Sequence, residues 1–485
     1  MENHKVDGDL KKIHGFMAGA RKQNKGLANV GLSLVFLIAV LLYASLTHGN
    51  GGTGIFIVAA AVIGAYMAMN IGANDVANNI GPAVGSRALT MVGALVIAAI
   101  FEAAGALIAG GDVVSTIRKG IIDPAEIADQ MVFIWAMMSA LLAAALWLNF
   151  ATWFGAPVST THSIVGGVVG AGIAAAGAAS VDWAQLGMIA ASWVISPVLG
   201  GIIAALFLYF IKRMILWQDD MLEAARTWVP VLVGIMVGAF SMYLVMKGLK
   251  KIWKPDTGML WLIAFGGFSA TWAITKPLVA RASIGLENRK RSVAKLFTIP
   301  LIGSAALLSF AHGANDVANA VGPLAAIVSA ADGTAIGSGK ISLPLWVMVI
   351  GAIGISIGLL LYGPKLIRTV GEKITKLNQM RAFCVALAAA ITVIAASWLG
   401  LPVSSTHIAV GGIFGVGFLR EYLEHKASKK KRETAETLKE QKKLEKRKLV
   451  RRREIMTIVA AWVITVPVAG LLSAVLFFGL YHTFG

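Results

Sequence analysis

The stretch that decides the fold occurs twice, as GANDVANNIGP at residues 72–82 and as GANDVANAVGP at residues 313–323. Nine of the eleven positions are identical, and the copies lie 241 residues apart. Each copy follows an apolar run, where a carboxylate is costly unless it has a partner or a task. The repeated Asn-Asp and Asn residues therefore mark a candidate functional site inside a membrane.

The composition indicates an all-α polytopic membrane protein. Of 485 residues, 57% are hydrophobic and 14% are charged, and the mean hydropathy is +0.75. Apolar stretches of about 20 residues recur along the chain, the length that a helix needs to cross a bilayer. The single cysteine, Cys384, excludes an intrachain disulfide and a cysteine-based metal site.

The net charge of +18 is concentrated in loops between apolar runs. Segment 420–453 alone carries fifteen Lys and Arg against six Glu. This distribution is typical of cytoplasmic loops that obey the positive-inside rule. We expect a multi-pass protein of a cell membrane, such as a bacterial inner membrane, with a lipid bilayer rather than nucleic acid as its partner. A regulatory or docking role for 420–453 stays open.

A second pair of motifs shows that a whole unit is duplicated. PVSTTHSIVGGVVGAG (157–172) and PVSSTHIAVGGIFGVG (402–417) agree at ten of sixteen positions, and WVISPVLG (193–200) returns as WVITVPVAG (462–470). The motifs keep their order in both halves. If the apolar run 160–179 crosses the membrane, an odd number of spans separates the two units, and their orientations are opposite. If it is a shallow re-entrant loop, the repeats are parallel and the basic loops fit the positive-inside rule less well, so we expect the inverted arrangement.

The predicted fold has two inverted-topology repeats with helical hairpins. It contains about 12 core transmembrane helices plus one extra N-terminal helix. The expected segments are a cytoplasmic basic N-terminus (1–27), the extra helix (28–47), repeat 1 (54–211), connecting helices with a cytoplasmic linker (212–296), and repeat 2 (297–485), which includes a charged cytoplasmic loop (420–455).

The Asn-Asp motifs have the chemistry of a cation site. Inverted repeats usually share a site near the bilayer midplane, where helices are interrupted, and Gly and Pro flank both motifs and favour such breaks. Oxygen ligands without sulfur suit Na⁺ better than a soft transition metal. The candidate cation ligands are Asn74, Asp75, Asn315 and Asp316, and Asn78 and Asn319 add further oxygens and amide donors nearby.

The PVSTTH-type motifs favour an anion rather than a cation. A proline followed by hydroxyl residues at a helix start leaves backbone N–H groups and hydroxyls aimed at one point. The positive end of the helix dipole lies there, which favours an oxyanion. The candidate residues are Ser159, Thr160, Thr161, Ser404, Ser405 and Thr406.

Three further ionisable residues have two interpretations each. Glu102 in FEAAG lies within an apolar span and has no counterpart in the second unit, which reads IGAIG. It is either a cation ligand or a buried, protonated packing residue. His162 and His407 are either proton carriers or residues that orient the hairpin tips.

The paired GANDVAN…GP and PVS(S/T)TH motifs, with FEAAGALIAGGDVVSTIRKGIID between them, resemble the inorganic phosphate transporter (PiT) family over about residues 54–485. Members of that family are cation-coupled phosphate symporters. The resemblance implies a phosphate site formed by the six hydroxyl residues with Asn78 and Asn319. It also implies Na⁺ at Asp75, Asp316, Asn74 and Asn315, and no cofactor other than the coupling ion.

The coupling ion is less directly implied than the substrate. Sodium-coupled eukaryotic relatives have a Glu where this chain has Ala386, whereas proton-coupled enteric relatives have a His-Asp pair in the first motif and lack the Glu of FEAAG. This chain has Asn74-Asp75 and Glu102, which favours Na⁺. Proton coupling, a metal–phosphate substrate and a sulfate permease remain alternatives.

Two functions of other classes are weaker. An intramembrane hydrolase would need a nucleophile–base arrangement that contiguous Ser-Thr-Thr-His does not supply, so we expect no enzyme. A cation channel would need a continuous polar pore lining, whereas the polar residues cluster at two matched depths. Gly- and Ala-rich faces allow a homodimer.

Overall fold

The computed structural model describes residues 26–50, 52–119, 121–122, 126–127, 129–248, 253–333, 343–369, 377–432 and 452–484. Most of the basic N-terminus (1–27) and the middle of the charged loop (420–455) lie outside the described residues. The described ranges are helical apart from short connections and one isolated β-bridge between Ile122 and Val181. The predicted all-α class is confirmed.

Sixteen α-helices are assigned within these ranges. They are α1 (Gly26–His48), α2 (Gly54–Asn74), α3 (Val76–Gly85), α4 (Met91–Ala109), α5 (Gly111–Lys119), α6 (Gln130–Phe154), α7 (Thr160–Ala176), α8 (Trp183–Ile211), α9 (Met221–Gly248), α10 (Thr257–Ala282), α11 (Lys290–Leu296), α12 (Thr298–Ala331), α13 (Leu345–Thr369), α14 (Gln379–Trp398), α15 (Ser405–Arg432) and α16 (Arg452–Phe484). A short 3₁₀ turn precedes α8 and a π-helical turn follows it.

Ten segments of the described chain are long and apolar enough to cross a membrane, and α11 with α12 makes an eleventh that bends by 46°. The extra N-terminal helix is present as α1. Helix α7 has 17 residues, fewer than the about 20 that a full crossing takes. The run expected to cross at 160–179 is therefore one limb of a hairpin with α6.

The two repeats interlock through helices that pack across them. A Cβ added at Gly170 of α7 would lie 2.1 Å from the carbonyl oxygen of Gly470 in α16, and one added at Gly415 of α15 would lie 2.0 Å from that of Gly201 in α8. These pairs occupy corresponding positions of the duplicated motifs. Glycine is needed there because the backbones touch, as in close helix pairs in lipid.

The corresponding helices of the two repeats run in opposite directions. Gly64 of α2 faces the side chain of Leu324 in α12. Further along α2, Asp75 comes close to Asp316, which lies before Leu324 in α12, because Thr160 contacts both carboxylates. Residue numbers thus rise along one helix as they fall along the other, as the inverted arrangement requires.

The connecting helices α9 and α10 form a hairpin outside the interlocked core. In the 18-residue apolar stretch of α10 no residue is buried, and Trp261, Leu262 and Phe265 are more than 60% exposed. Such a face suits lipid or a second copy of the chain. The homodimer stays a prediction.

Candidate functional site

The first Asn-Asp motif interrupts its helix, and the second does not. Helix α2 ends at Asn74 and α3 begins at Val76, with a turn in which the Asn78 N–H donates to the Asp75 carbonyl at 3.0 Å. Helix α12 continues through Asp316 and Pro323. The break expected at the second motif is therefore wrong, since a proline removes one N–H and membrane helices tolerate that loss where neighbours pack closely.

Asn74 joins the first motif to the tip of the α6–α7 hairpin. Its amide donates to Thr152 Oγ1 at 2.9 Å and to the Ala156 carbonyl at 3.2 Å, and its Oδ1 accepts from the Val158 N–H at 3.1 Å. The side chain is fully buried. Both ends of the amide thus bind the tip, which fixes where α7 begins.

Asn315 makes the same three contacts with the α14–α15 hairpin. Its amide donates to Ser397 Oγ at 2.9 Å and to the Leu401 carbonyl at 3.1 Å, and its Oδ1 accepts from the Val403 N–H at 3.2 Å. The second repeat thus reproduces the clamp made by Asn74. These two predicted cation ligands serve here as clamps on the hairpin tips.

The two hairpin tips meet at Asp75. Thr160 Oγ1, at the start of α7, donates to Asp75 Oδ2 at 2.6 Å, and Thr406 Oγ1, in the first turn of α15, donates to Asp75 Oδ1 at 3.1 Å. Thr160 Oγ1 also lies 3.3 Å from Asp316 Oδ2. All four side chains are almost completely buried, so residues from both repeats share one closed centre.

Asn78 and Asn319 attach the same hydroxyls to the motif helices. The amide of Asn78 donates to Thr406 Oγ1 at 2.8 Å, and the amide of Asn319 donates to Thr160 Oγ1 at 3.1 Å and to Thr161 Oγ1 at 3.3 Å. Each asparagine therefore reaches a hydroxyl of the other repeat. Five of the eight predicted phosphate-binding residues are therefore joined by hydrogen bonds: Thr160, Thr161, Thr406, Asn78 and Asn319.

Ser159 and Ser404 have a different position from the threonines. Ser159 Oγ accepts from the His162 N–H at 3.1 Å, and Ser404 Oγ accepts from the His407 N–H at 3.3 Å. They are the N-caps of α7 and α15, where a serine stabilises the helix start. The preceding N–H groups of each first turn have no partner within their own helix and lie next to the Asp75 centre.

Glu102 lies in a chain of close polar contacts that leads to Asp316. Glu102 Oε1 accepts from the Asn79 amide at 2.8 Å, and Glu102 Oε2 lies 2.6 Å from His312 Nδ1. His312 Nε2 lies 2.8 Å from Asp316 Oδ2. Glu102, His312 and Asp316 are all fully buried, so the two repeats are linked by a carboxylate–imidazole–carboxylate chain.

Among the described residues, this carboxylate–imidazole–carboxylate chain is found on one side of the pseudo-twofold axis only. A Cβ added at Gly105 would meet the Phe310 carbonyl oxygen at 2.0 Å, and one added at Gly358 would meet the Met69 carbonyl oxygen at 1.8 Å. The two contacts correspond and set the register between the repeats. In that register, FEAAG (101–105) aligns with GISIG (354–358), and the alignment with IGAIG (350–354) expected from the sequence is wrong. The polar residues Glu102, His312 and Asn79 therefore correspond to the apolar residues Ile355, Ile71 and Ala320.

Several buried oxygens around the centre have no hydrogen-bond donor among the described residues. They are Asn78 Oδ1, Asn79 Oδ1, Asp316 Oδ1, Asn319 Oδ1 and Ser405 Oγ. Buried acceptors are rarely left unpaired. Ligand atoms of Asp75, His312 and Asp316 also lie within 4.8 Å of one another. Neutral and anionic oxygens in this number fit a hard cation such as Na⁺.

His162 and His407 lie behind the hairpin tips. Their ring centroids are 4.4 Å apart with perpendicular planes, and His162 packs on Trp193 at 3.9 Å. Both line a largely apolar cavity between α8 and α15. This position favours the orienting role over the proton-carrying one.

Sequence reasoning missed His312, Asn79 and the hydroxyls of Thr152 and Ser397. One signal was present: the residue before GAND is Ile71 in the first copy and His312 in the second. A polar residue that appears in one of two otherwise matched apolar runs indicates a partner elsewhere in the membrane.

The chain is similar to known proteins over nearly its whole length. Residues 71–473 match the model of the phosphate transporter family. A protein of Helicobacter pylori named "Putative phosphate permease" is 46% identical, with 97% of this chain and 98% of that protein covered. A protein of the same description from Pyrococcus abyssi is 37% identical, with 86% of this chain and 96% of that protein covered.

A solved structure described as "The sodium-dependent phosphate transporter" has the same fold. The TM-score is 0.79 at 34% sequence identity, and the match covers 88% of this chain and 99% of that one. The family model begins at residue 71, so α1 lies outside it.

Proposed function

Because the chain belongs to the phosphate transporter family, we propose that it imports inorganic phosphate together with Na⁺ by alternating access around the Asp75–Asp316 centre. The family and its relatives are transporters rather than enzymes, and the protein is a multi-pass membrane protein. The observation that carries the proposal is that hydroxyls from two inverted hairpin tips converge on one buried carboxylate, Asp75.

The anion is held by the hairpin tips in this proposal. Helices α7 and α15 begin beside the centre, so their first-turn N–H groups and positive dipole ends lie next to the hydroxyls of Thr160 and Thr406. When phosphate enters, these hydroxyls stop donating to Asp75 and donate to phosphate oxygens instead. Thr161 and Ser405 supply further hydroxyls to the anion site.

The cation is held by the motif helices. Phosphate and two aspartates carry the same sign of charge, so a cation between them lowers the electrostatic cost in a medium of low dielectric constant. We assign Na⁺ to Asp75 and Asp316 with the amide oxygens of Asn78 and Asn319. Asp316 Oδ1, Asn78 Oδ1 and Asn319 Oδ1 lack hydrogen-bond donors among the described residues, and the oxygens of Asp75 become available when its hydroxyl donors turn to phosphate. Asn74 and Asn315 keep their clamping role, and Glu102 supports Asp316 through His312.

Phosphate is favoured over sulfate by hydrogen-bond chemistry. Phosphate retains a donor O–H near neutral pH, which Asp75 or Asp316 accepts. Sulfate is fully ionised near neutral pH and has no O–H to donate, so these carboxylates only repel it. The centre has carboxylates and hydroxyls side by side, which suits a ligand that both donates and accepts.

A lysine side chain contacts the tip of each hairpin, and we call each of these contacts a latch. The two latches lie on opposite sides of the membrane in the expected topology. Lys365 donates to the Trp153 carbonyl at 2.6 Å, on the cytoplasmic side. Lys247, on the outer side, lies 2.5 Å from Asp112 Oδ2 and 3.5 Å from the Trp398 carbonyl. Release of one latch at a time gives each side access to the centre in turn.

The test is radiolabelled phosphate uptake into liposomes that contain the purified protein, with an inward Na⁺ gradient or, separately, an inward proton gradient. Excess unlabelled sulfate serves as competitor. The proposal expects Na⁺-driven uptake that sulfate does not block. Uptake driven by protons alone would overturn the Na⁺ assignment, and no uptake under either gradient would overturn the phosphate function.

A further inference from the structure

A cavity of about 930 Å³ lies between α1 and the core, bounded by α2, α6 and α13. It is formed by the first turns of α1, from Gly26 to Leu37, and by the last turns of the other three helices. A cavity of this size holds a small ligand. With the N-terminus in the cytoplasm, its mouth faces the cytoplasmic side.

The mouth of the cavity is basic. Lys365 and Arg368 lie one turn apart at the end of α13, and both are exposed. No acidic side chain is among the described residues that line the cavity. Lysine and arginine are the side chains that bind phosphate groups.

The deeper part of the cavity is lined by neutral polar groups. Tyr66, Asn70 and Asn149 lie on its core side, and Ser33 and Tyr362 lie on its α1 side. The Asn149 amide is 3.3 Å from Asn70 Oδ1, and the hydroxyls of Ser33 and Tyr362 are 2.8 Å apart. These groups line the cavity with polar atoms and introduce no charge that would repel an anion.

One wall of the cavity reaches the hairpin clamp. Ala73 and Thr152 line it, and Thr152 Oγ1 accepts from Asn74, which holds the α6–α7 tip. The latch at the mouth, from Lys365 to the Trp153 carbonyl, binds the end of the same helix α6. The cavity thus runs from the basic mouth to the back of the inner tip.

Helix α1 forms the outer wall, and two contacts position it. The Asn29 amide donates to the Leu361 carbonyl at 2.6 Å, and Ser33 contacts Tyr362. Much of the rest of α1 is exposed. Asn29 and Ser33 of this mostly apolar helix therefore make polar contacts on the side that lines the cavity.

We propose that this cavity is a second binding site for a phosphate group, at the cytoplasmic end of the transport path, with Arg368 and Lys365 as its anion-binding residues. The inference rests on the proposed function for its place in the cycle: phosphate released by the inner hairpin is held here before it enters the cytoplasm. The same chemistry recognises the headgroup of an anionic phospholipid, so the test separates the two sources.

The test uses thiol protection, because the native Cys384 is completely buried. Val30→Cys places a thiol in the cavity lining, and Leu27→Cys places one in the same first turn of α1 outside the lining. Each full-length variant is purified in detergent without Na⁺, and the rate of maleimide labelling is measured with and without inorganic phosphate. We expect phosphate to slow labelling at residue 30 about threefold at about twice its dissociation constant, and to leave residue 27 unchanged.

Two charge variants test the residues in the Val30→Cys background. Arg368→Gln is expected to abolish the protection. Arg281→Gln removes the same charge from an exposed position at the end of α10 and is expected to retain it. Protection that survives Arg368→Gln, or no protection at all by phosphate or lipid, overturns the inference.

Added phosphatidylglycerol separates the two sources. If the lipid slows labelling and phosphate then has no further effect, the occupant is a headgroup. If phosphate protects in the presence of the lipid, the occupant is the free anion. Both outcomes support a phosphate-group site. If phosphate protects the thiol but the wild-type protein shows no Na⁺-driven uptake, this inference stands and the proposed function is wrong. If the protein shows uptake but phosphate gives no protection, the proposed function stands and this inference is wrong.

Discussion

Glu102 of the first repeat and His312 of the second meet in the core of the membrane domain, with Oε2 2.6 Å from Nδ1 and both side chains fully buried. Asp316 lies on the far side of the imidazole. At the corresponding position across the pseudo-twofold axis the facing residues are Ile355 and Ile71. The duplicated scaffold therefore carries one polar chain, and it serves one of the two central aspartates.

Removing one member of this pair should be more harmful than replacing both. Glu102→Ile leaves a buried imidazole without its carboxylate, which costs about 3 kcal/mol or more. The double variant Glu102→Ile/His312→Ile copies the apolar pair of the other side and should recover most of the lost thermal stability. Phosphate uptake should stay low in both. Full uptake by the double variant would show that the contacts among Glu102, His312 and Asp316 have no part in transport.

Loss of a clamp should destabilise the hairpin that it holds. Asn315→Ala removes three hydrogen bonds to the α14–α15 tip, and an unpaired buried group costs about 1–3 kcal/mol. We expect a lower melting temperature and uptake reduced at least about tenfold. Asn315→Asp is the matched variant, since it keeps the acceptor for the Val403 N–H and loses both donations. Normal uptake by both variants would contradict the clamp.

The hydroxyl of Thr160, rather than its methyl group, should set phosphate affinity. Thr160→Ser keeps the donor to Asp75 and should retain uptake within about twofold, whereas Thr160→Ala should raise the half-saturating phosphate concentration about tenfold, because a hydrogen bond to a charged group contributes about 1.5 kcal/mol or more. The measurement is initial uptake against phosphate concentration. Equal values for the two variants would remove Thr160 from the anion site.

Lys247 should hold the outer hairpin closed. Lys247→Gln removes the ammonium that binds Asp112 and the Trp398 carbonyl, so the tip should open more often to the outside. A thiol introduced by Leu401→Cys should then be labelled severalfold faster by an impermeant maleimide added outside. Lys254→Gln changes an exposed lysine in the connection after α9; it is the control and should leave the rate unchanged. Equal rates for both lysine variants would contradict the latch.

The location of the site follows from the sequence because polar residues within apolar runs need partners. The doubled Asn-Asp and Ser/Thr motifs therefore identify the helices that meet, and hydroxyls of Thr160 and Thr406 do meet at Asp75. The roles of individual residues are harder to predict. An asparagine such as Asn74 has the same chemistry whether its amide binds an ion or a neighbouring backbone, and only the packed structure decides.

The pairing of Glu102 with His312 had little local signal. The two residues are 210 positions apart, and Glu102 lies alone in an apolar run. Their contact depends on the close approach of α4 and α12, which glycines permit on both sides of the pseudo-twofold axis. Likewise, Gly and Pro around Asp316 predict a break, but the packing around α12 keeps that helix continuous.

The most direct test of the central claim is equilibrium binding of radiolabelled phosphate to the purified protein in sodium or choline buffer. The account predicts saturable binding in sodium, a large loss of affinity in choline, and loss of the sodium dependence in Asp75→Asn/Asp316→Asn. Phosphate that binds equally well in choline, or a double variant that keeps the full sodium dependence, would contradict a cation site formed by these two aspartates.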